Sequence, residues 1–148
     1  MVTMNGEDSY RIKCSFVSAF AVDKTYVNDA LRGKRLEVSI AGITCLTNGL
    51  LWECIVTEKW RKCEYSVAVS LLKKQTGKLF VLTDAVNNER VSADAPVFAA
   101  YADEVIELLA FPEFWNFYVF DATLSWCLIF TDECEATYPE GVCFTNIE

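Results

Sequence analysis

A chain of 148 residues with a formal net charge of −8, 53 % apolar and 14 % aromatic, can close one core and is far too hydrophobic to remain disordered. One domain spanning residues 1–148 is expected, and the apolar runs fall well short of the roughly eighteen residues that a transmembrane helix needs. Histidine is absent, which excludes Ser-His-Asp and Cys-His nucleophilic machinery, histidine general bases and histidine metal ligands together.

The first eight residues lack a basic, then apolar, leader, so a cytoplasmic location is expected. Seven cysteines (Cys14, Cys45, Cys54, Cys63, Cys127, Cys134, Cys143) are an odd number without a CxxC pair. Free thiols in a reducing compartment are the expectation, with no metal site.

Along the chain, Tyr10, Ile12, Cys14 and Phe16 alternate with Arg11, Lys13 and Ser15, a period of two that predicts a half-buried strand. Asp23 resembles an N-cap for a short helix over 24–32, closed by Gly33. Leu36, Val38 and Ile40 alternate with polar residues and predict a second strand. Asn48-Gly49 supplies the two positive φ angles of a type I′ turn, predicting a hairpin between 43–47 and 50–56. A further hairpin is predicted between 65–72 and 79–82 across the Lys73 to Lys78 connection.

The period then changes. Val97, Phe98, Tyr101, Val105, Leu108 and Leu109 recur at helical spacing, predicting an amphipathic helix of about fourteen residues with Asp94 as cap and Pro112 as terminator. Residues 117–120 and 124–130 predict two apolar strands joined at Asp121-Ala122-Thr123, the second apolar on both faces and hence central in the sheet. The fold class that follows is α+β: a twisted, mainly antiparallel sheet of six to eight strands with one long and one short helix.

No phosphate-binding glycine loop is present, and no cofactor is expected. Asp121, Asp132 and Glu133 could form an acid/base pair, but solvated loop acids are the simpler reading. Cys127 and Cys134 lie in acidic surroundings, which disfavour an activated thiolate. A non-enzymatic role is therefore expected.

Charge is unevenly distributed. Residues 1–83 hold twelve Lys/Arg against eight Asp/Glu, a balance of +4, whereas 84–148 hold one, Arg90, against thirteen, a balance of −12. Such a segment predicts an anionic surface for a basic partner, formed by Asp103, Glu104 and Glu107 on the helix and by Asp121, Asp132, Glu133 and Glu135 after it. Direct nucleic-acid or membrane binding is not expected, for want of a basic stripe or apolar span.

The run from Phe117 to Glu133, with Tyr118, Asp121, Trp126 and Glu133 as its marked positions, resembles the closing hairpin of small bacterial immunity proteins. Those end in a Thr-His-Glu-like tail, whereas this chain has Asp132 at the middle position. The resemblance implies a cytoplasmic α+β protein that neutralises a toxin. Three functions follow as expectations: an immunity-type inhibitor occluding a basic toxin or nuclease, a phage-encoded nucleic-acid mimic that blocks a defence nuclease, or a structural homo-oligomer such as a homodimer.

Overall fold

The computed structural model describes residues 1–20, 37–40, 43–46, 52, 55–83, 97–110, 116–131 and 143–148, with 37–40 and 43–46 described by backbone alone. In chain order these contain β1 (Val2–Thr3), α1 (Gly6–Phe20), β2 (Glu37–Ile40), β3 (Ile43–Leu46), β4 (Arg61–Cys63) and α2 (Tyr65–Lys73). They continue with β5 (Leu79–Thr83), β6 (Val97–Ala100), α3 (Ala102–Ala110), β7 (Phe117–Phe120), β8 (Cys127–Phe130) and β9 (Cys143–Thr145). Seven strands form one sheet in the order β1-β6-β5-β7-β8-β9-β4, with every neighbouring pair antiparallel. β2 and β3 form a separate antiparallel pair. The α+β architecture and the strand number agree with the expectation, and β8 lies inside the sheet between β7 and β9.

Side chains alternate across each strand, so an apolar run can feed two cores at once. Phe80, Leu82, Val97, Tyr118, Phe120, Cys127 and Ile129 point to one face, where they meet Phe16 and Val17 of α1 and Ile55. Leu79, Val81, Phe98, Ala100, Phe117, Val119, Leu128, Phe130 and Cys143 point to the other, where they meet Ala68 and Leu72 of α2 and Val105 and Leu109 of α3. All residues of β5, β7 and β8 are buried for this reason.

The α1 face is an aromatic core built around Phe16. Its ring centre lies 4.6 Å from that of Phe120, 5.0 Å from Phe20 and 5.8 Å from Tyr118, the last edge-to-face. The Tyr118 hydroxyl accepts the Trp52 backbone N–H at 3.0 Å, and the Trp52 ring stacks on Phe144 at 5.4 Å. Ser9 and Lys13 are also buried on α1.

Several sequence expectations are overturned. Residues 10–16 are helical, because the helix positions Ser9, Lys13, Phe16 and Val17 are buried at spacings of three and four while the strand-like alternation was coincidental. Asn5 starts this helix: its side-chain carbonyl accepts the Asp8 N–H at 2.8 Å, and its amide donates to the Asp8 carboxylate at 2.9 Å, a reciprocal cap. Residues 65–73 are likewise helical, with Ala68 and Leu72 four apart on the buried side; the β-branched Val67 and Val69 concealed that spacing. The predicted fourteen-residue helix is the nine-residue α3, since Val97 to Ala100 are captured by β1 and β5 as strand β6. The second arm of the Asn48-Gly49 hairpin is not extended at its described positions: the Ile55 and Val56 amides both donate to the Trp52 carbonyl, and β3 pairs with β2 instead. The predicted helix over 24–32, Asp94 and the Asn48-Gly49 turn lie outside the described residues.

The sheet is closed at one end by a small polar clamp. Asn146 accepts the buried Cys127 N–H at 2.8 Å and donates to the Ser125 carbonyl at 3.2 Å, while the Thr145 hydroxyl donates to the Cys127 carbonyl at 3.0 Å. Two outcomes are expected in urea denaturation. Phe16→Ala removes the shared ring of the aromatic core and should lower the unfolding free energy by about 3–5 kcal/mol. Asn146→Ala strands the Cys127 amide and should lower it by about 1–3 kcal/mol; a loss below about 0.5 kcal/mol in either variant would contradict the packing described.

Candidate functional site

α3 begins where β6 ends. Tyr101 carries the cap: its carbonyl accepts the Val105 N–H at 3.1 Å and its N–H donates to Glu104 Oε1 at 3.1 Å, half of a capping box. Glu104 Oε2 meets the Met1 amino group. One carboxylate thus ties β1, β6 and α3 together, and Glu104 is a structural residue rather than a free element of a docking surface.

Asp103 and Glu107 differ. Both are exposed, one helical turn apart, and neither forms an ion pair among the described residues. α3 contains no Lys or Arg, and its last turn has no basic residue to complement the negative end of the helix dipole. Asp103 in the first turn is favoured by that dipole. Glu107 is not, and it stands at like-charge spacing from Asp103, an arrangement that costs an isolated helix a few tenths of a kcal/mol. Tyr101, 57 % exposed, adds an unburied aromatic at the start of the same helix.

The anionic field has a boundary. Leu79 pairs with Ala100, so the C-terminal end of α2 and the start of β5, which carry Lys73, Lys74 and Lys78, stand at the sheet end from which α3 departs. Lys78 shares a hollow with Tyr101 and Glu104, so a lysine of the basic half borders the first turn of α3.

Asp121 is placed elsewhere. It opens the β7–β8 turn and lines a hollow of about 160 Å³ with Ile12, Ser15, Phe80 and Leu124, on the α1 side of the sheet rather than the α3 side. Its carboxylate accepts the Thr123 N–H at 3.0 Å and the Thr123 hydroxyl. Burial pushes the Asp121 carboxyl up, but bonds from the Thr123 hydroxyl, the Trp126 side chain and the Thr123 amide outweigh it, and the group lies below its usual range. The same turn holds Leu124 at a φ of 54°, a left-handed conformation that a branched side chain rarely adopts. Of the four positions marked in the 117–133 run, the three described ones have structural work: Tyr118 is fully buried, Asp121 caps the turn, and Trp126 packs on the core beneath α2 and α3. Asp132, Glu133 and Glu135 lie outside the described residues.

Burial pushes the Cys127 thiol well above its usual value, and burial likewise raises Cys63 against the opposing pull of Arg61, so both remain protonated near neutrality. Cys14, Cys63 and Cys127 are free, but Cys143 is disulfide-bonded, which departs from the expectation of free thiols throughout. Among the described residues no group of three His, Cys, Asp or Glu could hold a metal ion, and no helix is long and apolar enough to cross a membrane.

Sequence reading missed Tyr101 as an exposed aromatic, because it counted that residue in the apolar stripe of a longer helix. It also missed Lys78, which no motif marks. No protein-family model, no curated protein and no solved structure matches the chain.

The Asp121 carboxyl generates a pH prediction. Its folded pKa lies below the ordinary 3.8, so its stabilisation is complete above that value and is lost as pH falls through the folded pKa. The stability difference between the wild type and Asp121→Asn should stay constant from about pH 7 to pH 5 and shrink below 3.8 in urea titrations. A difference unchanged down to about pH 2.5 would show that the carboxylate is not held by the turn.

Proposed function

We propose that this protein is a non-enzymatic inhibitor of the immunity type, which docks a basic toxin or nuclease on the outer side of α3 and occludes it. The observation that carries the reading is the uncompensated pair Asp103 and Glu107 on a helix without a cation, with the exposed Tyr101 at its N-terminus. Folding explains every buried position of α3 but gives no stabilising role to Glu107. A basic partner would supply one, and the field would speed its arrival. Tyr101 offers the kind of aromatic anchor that carries a large share of interface energy.

The surface is smaller than the sequence suggested. Glu104 is committed to the β1–β6–α3 corner, and Asp121 faces the α1 side. A nucleic-acid mimic needs two rows of carboxylates at phosphate spacing, and among the described residues α3 supplies one row of two. The inhibitor reading is therefore the one favoured over the mimic.

A cytoplasmic site of action belongs to this reading. The free thiols Cys14, Cys63 and Cys127 agree with a reducing compartment, and the Cys143 disulfide pulls the other way.

The discriminating variant is Glu107→Lys. It replaces a like-charge pair with an Asp103–Lys pair at i, i+4 and puts a cation near the negative end of the helix, so stability should hold or rise by about 0.5 kcal/mol. Capture of the basic partner by the immobilised protein, and inhibition of that partner's activity, should nevertheless be lost. Wild-type capture should weaken steeply between about 0.05 and 0.5 M salt. Glu104→Lys, by contrast, should lower the melting temperature by breaking the cap. Retention of the partner by Glu107→Lys at wild-type strength would refute this surface.

A further inference from the structure

A second feature lies around the same corner and shares Tyr101 with the α3 surface, but its distinguishing residues, Ala99 and Lys78, are its own. A hollow of about 620 Å³ opens at the end of the sheet, a size typical of small-molecule sites, which span roughly 300–1,000 Å³. Ala99 lines it with only a methyl group, whereas Val97, two residues earlier on the same side of β6, carries a larger side chain. Val2 and Met4 wall one side, Tyr101 another, and the first turn of α1 contributes Asn5 and Asp8. Val2 is 67 % exposed and Tyr101 57 %, so the lining presents apolar area that the fold leaves open to water.

The charges of this hollow are not equivalent. Glu104 is held by the Met1 amino group and the Tyr101 N–H. Asp8 is held by the Asn5 amide at 2.9 Å, with Arg11 at 3.8 Å. Lys78 alone among the charged lining residues has no ion-pair partner among the described residues; its ammonium lies 5.6 Å from the centre of the Phe80 ring. An apolar chamber with one uncommitted cation at its edge complements a molecule with an apolar body and one negative end. The Phe80 ring supplies no negative charge, so the ammonium can still pair with a carboxylate.

We infer that the hollow between β1, β6 and the first turn of α1 binds an anionic amphiphile, an aliphatic carboxylate whose chain lies over Ala99 and whose head group pairs with Lys78. Although Tyr101 borders both the hollow and the α3 face, Lys78 and Ala99 lie outside that face, so variants at these two positions test the hollow separately from partner capture. Its chemistry also has a sign: Asp8 at the rim repels an anion but would anchor a cation.

The test is titration of the full chain with octanoate, 1-octanol and octylammonium, followed by calorimetry and by amide chemical shifts. Octanoate is expected to bind more tightly than octanol, with octylammonium the weakest, and with the largest shifts at Ala99 to Tyr101. Lys78→Met should weaken octanoate about fivefold, to the level of octanol. Asp8→Asn should strengthen octanoate by about twofold. Ala99→Leu should abolish binding of all three, with its melting curve confirming that it is folded. Equal affinity for the three probes, a preference for octylammonium weakened by Asp8→Asn, shifts centred elsewhere, or binding of none would each overturn the assignment.

Discussion

The ring of Phe16 sets the terms for the rest of the molecule. It touches Phe20 on its own helix and Tyr118 and Phe120 on the sheet, so it fixes α1 against the middle of the strand array. Antiparallel sheets often leave one face to water. Here α1 covers one face while α2 and α3 cover the other, and β5, β7 and β8 must be apolar on both sides. Two cores of different character result, aromatic beneath α1 and mostly aliphatic beneath α2 and α3. Functional polar groups are thereby confined to the sheet ends, the outer helix sides and the turns.

Double coverage also decides what was legible in the sequence. The strand 117–120 could be read directly, because an apolar run bounded by Asp121-Ala122-Thr123 has few other solutions, whereas the second strand, read as 124–130, begins only at Cys127, since Leu124 sits at a φ of 54° in the turn. The errors fell where two periods coexist. In 10–16 the alternating apolar residues fitted a strand, and the decisive helical features were the Asn5-to-Asp8 cap upstream and the burial of Ser9 and Lys13, polar residues on an inward side. In 97–109 a strand and a helix follow each other so closely that Val97, Phe98 and Tyr101 extended the helical pattern by accident. Only the pairing of Ala99 with Val2 on one side and Phe80 on the other, contacts remote in sequence, separates them.

The candidate surface was legible in part for the same reason. Net charge along a segment shows where acids are concentrated, but not which of them the fold uses. Glu104 and Glu107 are three residues apart on one helix and look equivalent in sequence. The first accepts a backbone N–H and meets an amino group, whereas the second has no counter-charge among the described residues. A capping box read at Tyr101 to Glu104, rather than an N-cap at Asp94, would have told them apart.

A folded chain is an economical place to look for function once its internal needs are accounted for, since charges that complete caps, turns and ion pairs have an explanation that ends with stability. Arg11 lies 3.5 Å from Glu7, Asp8 answers Asn5, and Asp121 answers Thr123. Among the described residues Glu107 and Lys78 have no ion-pair partner: one stands against the local dipole, the other lies over the Phe80 ring beside an open apolar chamber. They are opposite in sign and lie on either side of the corner where β6 gives way to α3. That corner is tied together by the Glu104 carboxylate, which meets the Tyr101 N–H and the Met1 amino group, and a charge displayed on a preorganised frame selects a partner better than one on a loose segment.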